Sequence, residues 1–136
     1  MNENEITDAV CAHLTATGWQ VVSRCSTTEQ GIDVVAKRNE LDCFVESKGG
    51  TSSREGSARF GKPYTESQIF DRVAKGFYTA ACLRSEKGDG PLIGLALPDT
   101  HCFRKYAGKV ARSDRFLRIS FYWVHPDRSV TEETHE

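Results

Sequence analysis

The chain has 136 residues, of which 38% are hydrophobic and 27% charged, a size and balance that suit one compact domain with a single core and leave no room for a second. No apolar run approaches the length of a membrane span, and the polar, acidic start from Met1 to Asp8 lacks a basic leader, which predicts a soluble cytoplasmic protein. The net charge of −1 hides a segregation: residues 1 to 47 carry 3 basic and 8 acidic side chains, residues 48 to 118 carry 14 and 7, and the remainder carry 1 and 4. A cationic middle between acidic ends points to a surface that can follow a phosphate backbone, with carboxylates available for a metal. Cys11, Cys25, Cys43, Cys82 and Cys102 are scattered without the close pairs of zinc sites and read as small core residues in a reducing compartment.

The first predicted element is a helix from about Asn2 to Gly18, with Ile6, Val10 and Leu14 on its apolar face. Trp19 to Cys25 reads as a strand, and a polar turn through Ser26, Thr27 and Thr28 leads into a hairpin. Its strands cover 31 to 37 and 41 to 48, joined by Arg38-Asn39-Glu40. The following 18 residues, 49 to 66, have no periodic pattern, and loops of that length are usually functional or mobile. Thr65-x-x-Gln68 fits a capping box for a helix whose stripe is Ile69, Val73, Phe77, Ala80 and Ala81, ending near Arg84. Gly88 to Pro91 is a turn, and Leu92 to Leu97 suits a buried strand. Pro98-Asp99-Thr100 opens a third helix to about Arg112, Arg115 to Val124 alternates as a final strand, and the tail after Pro126 reads as frayed.

The hairpin carries the chemistry. If Asn39-Glu40 is a two-residue loop, Asp33 faces Glu46, Val35 faces Phe44 and Lys37 faces Asp42, while Val34, Ala36, Cys43 and Val45 fill the other side. Facing side chains on paired strands lie roughly 5 Å apart, so two opposed carboxylates repel unless something positive lies between them. A divalent cation would serve, and Lys48, two residues past Glu46, points to the same side. A solvated strand face, or a three-residue loop that misaligns the pair, is the alternative reading.

The order helix, three-stranded meander, helix, strand, with an acidic residue on the second strand and Glu-x-Lys on the third, resembles the PD-(D/E)XK nuclease superfamily. In pattern it is most similar to the Holliday-junction resolvase and Mrr-type restriction endonuclease branches. The resemblance rests on Glu5, Gly18-Trp19-Gln20-Val21-Val22, Gly31-Ile32-Asp33-Val34-Val35-Ala36, Phe44-Val45-Glu46-Ser47-Lys48 and Gln68, about half of the chain. Ile32 stands where the superfamily's naming proline would be, and Gly49-Gly50 follow the lysine directly.

The resemblance implies an α/β, restriction-endonuclease-like mixed sheet with flanking helices in the order αβββαβαβ, forming one domain over residues 1 to 136. It implies an endonuclease that hydrolyses DNA with Mg²⁺, for which Mn²⁺ would substitute, working as a homodimer. Asp33, Glu46 and the main-chain carbonyl of Ser47 would hold the metal, and Lys48 would act on the attacking water. Glu5 would approach the metal from the first helix, although Asn2-x-x-Glu5 also fits a capping box, and Gln68 likewise would either serve the site or cap its helix. Arg54, Arg59, Lys62 and Tyr64 in the long loop would contact nucleic acid, surface decoration being the alternative. A nuclease-fold module that binds nucleic acid or another subunit without turnover is the competing functional class.

Overall fold

A computed structural model describes residues 1–25, 31–51 and 62–135. The elements are α1 (Glu3–Ala16), β1 (Gln20–Arg24), β2 (Val34–Arg38), β3 (Leu41–Ser47), α2 (Glu66–Lys87), β4 (Leu92–Pro98), α3 (His101–Lys109), α4 (Ala111–Leu117), β5 (Ile119–Val124) and β6 (Val130–Glu133). The strands form one six-stranded mixed sheet in sequential order, antiparallel across β1, β2 and β3, parallel from β3 through β5, and antiparallel again at β6. This is the α/β mixed sheet with flanking helices that the sequence predicts, with a further helix, α4, and a sixth strand, β6, added to the predicted order. Among the described residues no helix is long and apolar enough to cross a membrane.

Helices cover both faces, and alternation along the strands sorts the core into two halves. On one side Ile6, Val10 and Leu14 of α1, all fully buried, meet Val34, Ala36, Cys43, Val45, Tyr122 and Val124. On the other, Val73, Ala80 and Leu83 of α2 and Phe103 and Ala107 of α3 meet Ile93, Leu95, Leu97, Phe121 and Trp123. The hairpin has the predicted register, with Val35 facing Phe44 and Lys37 facing Asp42. Asn39 takes the left-handed conformation at φ 56°, which asparagine tolerates better than most residues, so Asn-Glu closes the tight loop.

Several boundaries differ from the sequence reading: β2 begins at Val34 rather than at 31, which leaves Asp33 just ahead of the strand, and α2 runs past Arg84 to Lys87. The third helix breaks at Val110, and 111 to 117 form a separate α4 where the sequence suggested the start of a strand. Leu117 therefore reaches the core from a helix, and the strand begins at Ile119, after Arg118 in the left-handed conformation has turned the chain. The predicted frayed tail instead folds back as β6. Asp127 accepts from the Ser129 amide and hydroxyl, His125 and Ser129 close the turn, and the open edge of β5 supplies partners for a polar strand. Edge pairing satisfies backbone groups whatever the side chains are, so hydropathy alone does not reveal it.

Arg84 joins the elements at the end of α2: its guanidinium donates to the carbonyls of Gly88, Pro91, Leu117 and Arg118. Nearby in the chain, Asp114 is fully buried, and neither of its carboxylate oxygens has a hydrogen-bond partner among the described residues. Burial first, and the charge of Glu133 second, push its carboxyl from 3.8 to about 7, with Arg115 opposing. A carboxyl raised in the folded state stabilises while protonated, and that contribution disappears as pH rises from about 4 to about 7. Asp114→Asn should flatten this part of the pH–stability curve and gain on the order of 2 kcal/mol at pH 8 relative to wild type. Urea unfolding at pH 5 and pH 8 checks it, and parallel curves for the two proteins would contradict the assignment.

Candidate active site

The register of the β2–β3 hairpin carries Asp33 and Glu46 to the same side of the sheet, at the end where β3 runs out beside β4. Asp33 lies just before β2, and its Oδ2 accepts a 2.8 Å hydrogen bond from the Ser47 amide, which fixes the carboxylate across the strand pair. Glu46 is only 8% exposed, and its Oε1 lies 3.1 Å from Lys48 Nζ. The Lys48 amide donates to the Ala96 carbonyl and so continues the β3–β4 ladder to this residue. Burial, reinforced by the Asp33 charge and opposed by Lys48, raises the Glu46 carboxyl from 4.5 to about 7.

A third carboxylate belongs to Glu3. It lies 3.8 Å from Lys48 Nζ; burial pushes its carboxyl up, Lys48 pulls it back and Asp33 pushes it up again. Gly49 makes this approach possible. A Cβ there would stand 2.6 Å from the Asn2 carbonyl carbon and 2.9 Å from Glu3 Cα, a backbone collision that no rotamer relieves. The Gly50 and Thr51 amides then donate to the Met1 carbonyl and hold the start of the chain against the end of β3. Gly76 does the same for α2: a Cβ would come 2.8 Å from Leu95 Cδ1 and 3.2 Å from Lys48 Cγ, so the helix lies directly on the lysine stem.

Glu5 stands elsewhere. Its Oε1 accepts from the Asn2 amide in a capping box, and its Oε2 is 2.7 Å from Arg128. The first-helix carboxylate beside the cluster is thus Glu3, two residues earlier than the sequence reading placed it. The signal was present, because Glu3 lies one turn before Ile6 in the stripe that continues to Val10 and Leu14. Gln68 completes the capping box of α2, its Oε1 accepting from the Thr65 amide at 2.9 Å. Ser47 is fully buried with no partner for its hydroxyl among the described residues, and alternation points that hydroxyl away from Glu46 and Lys48. Ile32, at the proline position, packs against the α2-side core. Of the loop residues, Arg54 and Arg59 lie outside the described residues and Lys62 is exposed. Tyr64 donates its amide to the Gly50 carbonyl, and Arg72 stands 5.0 Å over its ring. Arg72, which the sequence reading did not single out, also acts electrostatically on Glu3 and so belongs to the rim of the cluster.

Among the described residues no group of three or more His, Cys, Asp or Glu side chains is arranged to hold a metal ion. The donors that do converge are hard oxygens, and Mg²⁺ is commonly held by one or two carboxylates, with water and a substrate phosphate completing its shell. By donor chemistry Asp33 and Glu46 fit such an ion.

No family model matches the chain, and no curated protein does. Two solved structures share its fold over nearly their whole lengths. One is an XisH family protein from Nostoc punctiforme, with TM-score 0.57 and 17% identity over 96% of this chain and 98% of that one. The other is an fdxN element excision controlling factor protein from Anabaena variabilis, with TM-score 0.57 and 17% identity over 94% and 96%. At that identity the likeness concerns the fold.

Proposed function

We propose that this chain is a metal-dependent endonuclease of the PD-(D/E)XK type that hydrolyses DNA phosphodiester bonds. The observation that carries the reading is the buried Glu46 carboxylate, 3.1 Å from Lys48 and on the same side of one hairpin as Asp33. Asp33 and Glu46, with the Ser47 carbonyl, would hold Mg²⁺ or Mn²⁺. When bound, such an ion polarises the phosphate and lowers the pKa of a coordinated water. The ammonium of Lys48 orients the attacking water and stabilises negative charge on the phosphoryl oxygens, the largest electrostatic demand of the reaction. Glu3, 3.8 Å from the ammonium, helps to aim Lys48 into the cluster. Cutting both strands of a duplex calls for two such sites, hence a homodimer.

A second reading, a non-cleaving module that binds nucleic acid or another subunit, draws on the name of one structural neighbour, an excision controlling factor. Incubation of duplex, flapped, four-way and single-stranded DNA with Mg²⁺, Mn²⁺ or chelator separates the two. Cleavage that chelator abolishes is the expected result, and intact DNA in every metal arm would overturn the nuclease reading.

A further inference from the structure

The crossover from β4 to β5 carries a charge pattern that the hairpin site does not use. Between His101 and Arg118 it contains Arg104, Lys105, Lys109, Arg112, Arg115 and Arg118, and its only acidic residue, Asp114, is fully buried. Arg104, Lys105 and Arg118 are tied to Asp99, Glu66 and Asp89. Lys109, Arg112 and Arg115 are exposed and have no carboxylate within ion-pair distance among the described residues. Aromatic rings alternate with these cations. Lys105 and Lys109 stand 5.2 and 5.8 Å from the Tyr106 ring, and Phe116 is 86% exposed, one helical turn after Arg112 on the same face of α4. Phe116 thus presents an uncovered ring directly after Arg115 and one turn after Arg112, the combination of cation and ring that stacked bases and their phosphates can use.

We propose that the α3–α4 face binds a DNA strand with an unpaired base, Lys109, Arg112 and Arg115 holding its phosphates and Phe116 stacking the base. Charge complementarity selects the occupant: three exposed cations with no ion-pair partner among the described residues, beside one exposed ring, match a phosphate backbone carrying bases better than they match an apolar protein surface. The proposal rests on the DNA reading of the hairpin site and extends it. The face is connected to that site, because Phe103 packs on Gly50, two residues past Lys48, and Lys105 and Tyr106 both bond Glu66 at the start of α2. From there the crossover returns along the seven-residue β4 to the opposite end of the sheet, a path of about 20 Å. At about 3.4 Å per nucleotide this is roughly six nucleotides of strand between the cutting site and Phe116.

Fluorescence anisotropy with a labelled 20-nucleotide single strand and its duplex, titrated over salt, tests the proposal on wild type, Phe116→Ala and the triple variant Lys109→Ala/Arg112→Ala/Arg115→Ala. The triple variant should bind more weakly, with its log–log salt slope flatter by about two units, as expected for three lost single-strand phosphate contacts. Phe116→Ala should lose about 5- to 150-fold in single-strand affinity with an unchanged slope, because stacking is not ionic. Wild-type slope and affinity in the triple variant would overturn the proposal, as would failure of wild type to bind either DNA, or binding of anionic lipid vesicles lost in these variants while DNA binding persists. If the nuclease reading alone fails, wild type binds without cutting and the triple variant still loses affinity. If only this inference fails, chelator-sensitive cleavage survives with DNA binding undiminished in the triple variant.

Discussion

Lys48→Ala should slow single-turnover cleavage by about 10²- to 10⁴-fold while leaving DNA affinity close to wild type. The ammonium lies 3.1 Å from Glu46 and 3.8 Å from Glu3, so in the metal-free protein it is the counter-ion of the cluster. Removing it takes away a positive charge that competes for the same carboxylates, and divalent-ion affinity should hold or rise. A group that acts mainly on the transition state lowers the rate without a matching loss of ground-state binding. Cleavage rates and equilibrium DNA binding measured on one preparation, with Mn²⁺ calorimetry beside them, give the required split. Near-normal turnover would leave Lys48 as a structural counter-ion only.

The two acidic residues should behave alike in cleavage and oppositely in stability. Asp33→Ala and Glu46→Gln are each expected to abolish turnover and weaken Mn²⁺ binding. Asp33, however, also accepts the Ser47 amide at 2.8 Å, and its removal strands a donor in a half-buried setting, a loss of about 1 to 3 kcal/mol. Relief of repulsion on Glu46 offsets only part of this, because burial rather than the Asp33 charge is the larger cause of the raised Glu46 carboxyl. Glu46→Gln removes a charge that the fold disfavours. With its carboxyl raised from 4.5 to about 7, the stability present at low pH is lost as pH climbs through that window, so the variant should match or exceed wild type at pH 8 and lose the advantage near pH 5. Chelator-treated protein unfolded in urea at both pH values reads this directly. Equal stability changes in the two variants would contradict the site geometry.

The hairpin was legible in the sequence because its information is local. Period-two alternation and a two-residue loop fix the register, and the register alone sets Asp33 toward Glu46 and sends Val34, Ala36, Cys43 and Val45 to the other side. The capping residues Asn2, Thr65 and Gln68 were legible for the same reason, since a cap is decided within four residues. Tertiary packing decided what remained. Which of Glu3 and Glu5 meets Lys48 depends on how α1 lies across the sheet, and that follows from the close backbone approach at Gly49, a contact between segments more than forty residues apart. Whether 130 to 133 forms a strand depends on an open edge of β5, a backbone property with no trace in the polar side chains Thr131, Glu132 and Glu133. The cations of 101 to 118 were countable in the sequence, but only the folded helices separate those held by Asp99, Glu66 and Asp89 from those with no ion-pair partner among the described residues, because ion pairing is set by distance in space rather than along the chain.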